Sequence, residues 1–281
     1  RPSDHSVVLD PNDEEQIHRL EARGIKPEQI KEVVEEGKEL LHLFGSPWDG
    51  WTPGSHFLGQ GESGQTFVTP KFGLDQSRVA FKWFNRNHET LRRDSNYEVV
   101  PPDGSERGSG QLQSEVYLYE TLSKMKDYGN YIPRYFGTLS VDDDGNLVFD
   151  KWGIRMKGGP VGSEELSSML SETRDRPIVL IELGSDVPRD ERENAVSKAH
   201  NNLGFLGNHG FRYGGEEGRL DIKKFGRNYK FIDYGTSKII GDRALVAEGY
   251  KKRPKDQYAE GRKKGPSRTP YDREKPRRGE L

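Results

Sequence analysis

Leu58-Gly59-Gln60-Gly61-Glu62-Ser63-Gly64 decides how this chain folds. Gly-x-Gly-x-x-Gly lets backbone amides approach a phosphate closely, because no Cβ intrudes. Its flanks choose among the folds that use it. A dinucleotide-binding unit requires a helix directly after the motif. Here Phe57-Leu58 precedes it and Thr66-Phe67-Val68 follows, which are β-type residues, so the spacing predicts a strand-turn-strand flap. The chain holds 33 glycines, and a plain tight hairpin explains the motif about as well as a phosphate loop.

Moving outward, Val79-Ala80-Phe81-Lys82-Trp83-Phe84 reads as a third antiparallel strand. Strand alternation sends its apolar residues into a core and the Lys82 ammonium toward a cleft; a surface lysine is the plainer reading. A polar, Gly-rich stretch near residues 93–111 reads as a mobile loop. Gln113 to Met125 follows as a helix, with Val116, Tyr119 and Leu122 on one side and Glu115 near its start. Tyr131–Thr138 and Asn146–Phe149 flank an Asp-Asp-Asp-Gly turn and predict a hairpin. Residues 156–176 read as a polar insertion. Ile178-Val179-Leu180-Ile181 is a short buried strand, and Glu182-Leu183-Gly184 after it suits a hinge. Pro188 to His209 is the next helix, and Phe231-Ile232-Asp233-Tyr234-Gly235 closes the ordered part.

In this order the pieces over residues 52–240 resemble the protein-kinase superfamily: glycine-rich loop, strand lysine, helix glutamate, hinge, then Asp-Tyr-Gly in place of Asp-Phe-Gly. The resemblance implies an α+β, bilobal kinase-like fold with an antiparallel-sheet N-lobe and a reduced helical C-lobe. It implies ATP as ligand, with Gly59, Gly61, Gly64 and Lys82 at the phosphates, Glu115 pairing Lys82, and the Glu182-Leu183 backbone at an adenine edge. Asp233 is the implied carboxylate for Mg²⁺ or Mn²⁺.

The departures matter as much. Where kinases carry His-x-Asp-x-x-x-x-Asn, the family count places Tyr213 for His, Gly215 for the catalytic Asp and Leu220 for the metal-binding Asn. Glycine has no atom to accept a hydroxyl proton, and leucine offers no oxygen to a hard cation. With one metal ligand of two, nucleotide binding is expected to be weak or Mg²⁺-independent. A register shifted by one would make Asp221 the second ligand and Glu216 a substitute base. Only 46 residues follow Gly235, which leaves no counterpart for the activation segment or peptide-substrate platform. The leading expectation is a pseudokinase acting through a protein partner. The alternative is an active, atypical phosphotransferase or nucleotidyl-transferase using Glu216, Glu217 or Asp221.

Composition bounds both readings. The 281 residues carry 44 Lys+Arg against 46 Asp+Glu, for a net charge of −2. With Gly counted and Tyr left out, apolar residues are about 39%, below the roughly 45–50% of an average domain. Part of the chain is therefore expected outside any core. Residues 250–281 hold twelve Lys/Arg and five acids, a charge of +7, leaving −9 on the rest. Four prolines and few aliphatics there predict a disordered basic tail, solubilising by default and able to hold nucleic acid as a third reading. It lacks the interleaved aromatics of single-strand binders. Zero Cys excludes disulfides, cysteine nucleophiles and thiolate metal sites. No stretch approaches the roughly 18 apolar residues of a membrane span, so no membrane and a soluble, cytosolic protein are expected. The chain opens on Arg1, which leaves a removed leader undecided, and its Arg-Gly-Glu-Leu end only distantly suggests a retention signal.

The expected division is a helical N-terminal extension over 1–50, an N-lobe and hinge over 51–184, a reduced C-lobe over 185–245 and the tail over 246–281. In the extension, Pro27 marks a helix start, and Ile30, Val33, Val34, Leu40 and Leu41 repeat near helical spacing until Gly45. Packing on the body is its default, with a partner surface as the other option. His200 and His209 read as helix-face histidines, and Trp48, Trp51, Trp83 and Trp152 as packing residues.

Overall fold

The β-type runs around the glycine motif pair into the edge of one large sheet. A computed structural model of the chain describes residues 7–8, 14–60, 64–71, 78–84, 99–100, 111–172, 177–213, 222–235, 237–239 and 251–252. Along the chain come β1 (Val7–Val8), α1 (Glu14–Ala22), α2 (Pro27–Gly45), β2 (Phe57–Gln60), β3 (Gly64–Val68), β4 (Val79–Phe84) and β5 (Val99–Val100). Next are α3 (Gln111–Leu122), β6 (Tyr135–Val141), β7 (Asn146–Lys151), β8 (Ile154–Pro160), α4 (Glu164–Glu172) and β9 (Ile178–Glu182). The last are β10 (Ser185–Asp186), α5 (Arg192–Asn208), β11 (Phe211–Arg212), β12 (Ile222–Phe225), β13 (Asn228–Phe231), β14 (Lys238–Ile239) and β15 (Lys251–Lys252). The molecule is α+β.

The main sheet runs β1-β8-β7-β6-β9-β4-β3-β2. Its seven strands from β8 to β2 are antiparallel, and β1 adds to β8 in parallel. β4 lies inside it, between β3 and β9, and strand alternation sorts its side chains. Val79 and Phe81 join one core, while Ala80 and Phe84 join the other, which also contains Leu118, Tyr119 and Leu122 of α3. Lys82 shares the parity of Ala80 and Phe84, so it faces α3.

The N-terminal extension packs on the body. Pro27 opens α2, and the Lys26 N–H donates to Gln29 Oε1 at 3.0 Å, supplying a cap. Ile30, Val33, Leu40 and Phe44 are buried with β7, β8 and α4. Gly37 permits the approach: a Cβ there would lie 2.8 Å from Phe149 and Met156 side-chain atoms. Trp48 and Trp51 continue the same core, with indole N–H groups donating to Leu43 O at 2.8 Å and Val68 O at 2.9 Å.

Two expectations need correcting. Residues 156–176 do not interrupt the sheet, since they supply most of β8 and all of α4. β8 escapes a sequence reading because its residues from Lys157 onward are mostly solvent-facing, whereas α4 does carry Leu166 and Leu170 at helical spacing, both buried. The first turn of the expected helix from Pro188 is instead a separate 3-10 turn, Arg189–Glu191.

After β9 the described residues form short strands and one long helix. β12 and β13 form a hairpin through Gly226 at φ 59°, β10 pairs with β12, and β11 pairs with β14. α5 packs on the hairpin, where Asn202 Nδ2 donates to Tyr229 O at 3.0 Å. β15 pairs antiparallel with β5. No helix among the described residues is long and apolar enough to cross a membrane.

Candidate functional site

Three residues separated widely in sequence meet at one ammonium group. Lys82 Nζ on β4 donates to Glu115 Oε2 of α3 at 2.7 Å and to Asp233 Oδ1, just after β13, at 2.7 Å. The Lys82 side chain is 7% exposed, that of Glu115 1% and that of Asp233 33%, so the cluster is buried at two members and open at the third. A lysine has three N–H donors. Two are used here, and a third is left for a ligand approaching from the Asp233 side.

The electrostatics follow from that placement. Burial works against the Lys82 charge, but the Glu115 and Asp233 carboxylates outweigh it and raise its pKa. Burial pushes Glu115 up even with Lys82 beside it. For Asp233 burial also pushes upward, yet Lys82 and the Gly235 N–H prevail and hold it below the usual range. Glu115 Oε1 is buried without a hydrogen-bond partner.

Asp233 sits at φ 64°, a left-handed backbone that L-residues other than Gly adopt at a cost. Its neighbour Tyr234 is fully buried and anchored through its hydroxyl to Phe231 O at 2.9 Å. Tyr135 stacks on Tyr119 with centroids 5.2 Å apart, Tyr119 meets Tyr234 edge-on at 5.6 Å, and Tyr234 meets Tyr213 at 5.7 Å. This column of four tyrosines runs from β6 through α3 to the segment after β11 and fixes α3 relative to Asp233. In the sequence Tyr119 stood out as a helix-face residue of α3, Tyr234 as the middle of Asp-Tyr-Gly and Tyr213 through the family count, whereas Tyr135 was only part of an expected strand.

The glycines divide. Gly59 lies at a bulge in β2, and a Cβ there would meet nothing within 4 Å. Gly64 is inside β3 opposite Phe84, and a Cβ there would stand 2.2 Å from Trp83 O. Close strand packing is therefore sufficient reason for Gly64 without a phosphate. Gly61 lies outside the described residues, as do Gly215, Glu216, Glu217, Leu220 and Asp221.

The N–H and Oε2 of Glu182 are already engaged within the protein. The N–H donates to Arg134 O at 2.8 Å, and Oε2 accepts from Lys230 Nζ at 2.9 Å and Arg134 N at 3.1 Å. An adenine edge would have to be met by the Glu182 carbonyl and the Leu183-Gly184 backbone. Gly184 packs tightly on β12, where a Cβ would come 2.7 Å from Lys223 Cβ and Phe225 Cζ.

Among the described residues no three His, Asp or Glu side chains gather as a metal site. Asp233 can give one carboxylate to a hard cation, and the remaining oxygens would have to come from phosphates and water, an arrangement Mg²⁺ accepts. No protein-family model matches the chain, and no curated protein is significantly similar to it.

Proposed function

We propose that this chain is a kinase-like nucleotide-binding protein whose catalytic loop is degraded, a pseudokinase working through protein contacts. The observation that carries the reading is the Lys82 ammonium held between Glu115 and Asp233, residues 33 and 151 positions away. A lone buried ion pair is weak evidence for stability or function. A lysine fixed by a helix glutamate, with a donor to spare and a partly open carboxylate beside it, suits a polyphosphate and its cation. Lys82 would hold phosphate oxygens, Glu115 would set the Lys82 position, and Asp233 would face the Mg²⁺ or Mn²⁺. The cation, when bound, neutralises phosphate charge. With Gly215 where a kinase has its base, deprotonation of an acceptor hydroxyl has no assigned group.

The intact triad also favours a second reading, since a pure scaffold does not need a phosphate site. In it Glu216, Glu217 or Asp221 supplies the base of an active phosphotransferase. Incubation with radiolabelled ATP and Mg²⁺ or Mn²⁺ separates the two. The proposal expects no phosphate transfer to the chain itself or to generic substrates. Robust turnover abolished by Asp233→Ala overturns it in favour of the second reading.

A further inference from the structure

None of the triad residues lines a second feature, a cavity of about 370 Å³ between α2, the α3–β6 connection, the β7–β8 turn, the end of β9 and β13. Its buried lining donates. Lys151 and Lys230 have side chains only 5% and 3% exposed. Each ammonium commits one hydrogen bond to a carboxylate, Lys151 to Glu36 Oε2 at 2.8 Å and Lys230 to Glu182 Oε2 at 2.9 Å. Each otherwise rests on an aromatic face, Trp152 or Phe225, so each has donor capacity remaining. Ser123 Oγ is also buried and accepts from Trp152 Nε1 at 2.8 Å, which leaves its own O–H to donate. The rim is mixed: Glu32, 62% exposed, accepts from Arg134 Nη2 at 3.2 Å through Oε1, which leaves its other oxygen and the exposed Asp127 as acceptors.

The backbone gives an independent reason to look here. Three described non-glycine residues have positive φ, namely Asp127 at 61°, Trp152 at 57° and Asp233 at 64°. The last belongs to the triad, and the other two line this cavity. Trp152-Gly153 is a two-residue hairpin turn with both φ positive, a conformation that favours Asn-Gly. A bulky residue there costs about 1–2 kcal/mol. Trp152 is nonetheless held in place, its N–H donating to Glu120 Oε2 at 2.7 Å and its indole to Ser123. Strained residues cluster where a site over-determines them.

We infer that this cavity binds a small zwitterion, with its anionic group against Lys151, Lys230 and Ser123 and its ammonium group toward Glu32 and Asp127. The cavity shares Glu182 with the stretch that would meet an adenine edge, but none of Lys82, Glu115 and Asp233 lines it. Titration calorimetry on the full chain uses phosphoethanolamine as probe, with inorganic phosphate and ethanolamine as its two halves. Phosphoethanolamine is expected to bind at least about tenfold more tightly than either half. Lys230→Met should remove that binding, but it strands Glu182 and can disturb folding. Glu32→Lys, on the exposed rim, therefore carries the test: it should weaken phosphoethanolamine about tenfold and leave phosphate as tight or tighter, with the thermal midpoint preserved. Equal affinity for phosphate and phosphoethanolamine overturns the inference. So does the absence of heat with all three probes at millimolar concentration, or an affinity indifferent to Glu32→Lys.

Discussion

Lys82 brings one positive charge to two carboxylates, so the cluster as a whole is negative when all three groups are ionised. A polyphosphate arriving there meets repulsion unless a cation sits beside Asp233 or Glu115 takes up a proton. Of the two carboxylates, burial raises the pKa of Glu115, whereas Lys82 and the Gly235 N–H hold that of Asp233 below its usual range. Among the glycines, sequence alone could not tell a phosphate contact from a packing contact, because both reasons ask for a missing Cβ. The distances separate them. Gly64→Ala drives a Cβ into the Trp83 carbonyl, which as backbone cannot swing aside, and is expected to destabilise the fold by about 1–3 kcal/mol. Gly59→Ala, facing open space, is expected to leave stability within about 0.5 kcal/mol. Chemical denaturation of both variants checks this, and equal losses would contradict it.

Among the elements, α3 is tied to the sheet by a half-buried carboxylate as well as by apolar packing. Glu120 accepts from the Tyr135 hydroxyl and from the Trp152 N–H, both at 2.7 Å. Burial first, then the nearby Asp150 charge, raises its pKa from 4.5 to about 7. An acid whose pKa is higher folded than unfolded holds its proton longer in the folded state. Stability therefore falls as pH rises above the unfolded value and levels off above the folded one. The Glu120 contribution is a loss of about 2–3 kcal/mol between about pH 4.5 and pH 8. Glu120→Gln should flatten that decline, read as denaturation midpoints across the pH range; an unchanged slope would contradict the assignment. Nothing in the sequence marked Glu120, since one glutamate on a polar helix face resembles any other. α2 was legible because Pro27, the apolar repeat and Gly45 agree, and the strands around Lys82 were legible because β-branched and aromatic residues cluster between turns. β8 was not, because from Lys157 onward its residues are mostly solvent-facing and carry no apolar run.

For the whole molecule, the order of elements could be read along the chain, but the juxtapositions could not. Lys82 and Glu115 were expected together only through the family resemblance, and the direct bond from Lys82 to Asp233 was not expected at all. The second cavity draws on α2, the α3–β6 connection, the β7–β8 turn, the end of β9 and β13, which share no local pattern. Charge, by contrast, is a property of the sequence as a whole: residues 250–281 carry +7 against −9 elsewhere. If that arm contacts phosphates, removing residues 250–281 should abolish salt-sensitive retention on RNA or DNA. Retention that survives the deletion would place the contact on the body.

The central claim rests on the lysine at the middle of the triad, and calorimetric titration of ATP into the wild-type chain and Lys82→Met, with and without Mg²⁺, tests it most directly. Thermal unfolding should accompany the titration, because loss of one partner of a buried pair costs about 3–5 kcal/mol. Measurable ATP binding is expected for the wild-type chain and none for folded Lys82→Met. Equal affinity in the two proteins, or no binding by the wild type, would contradict it.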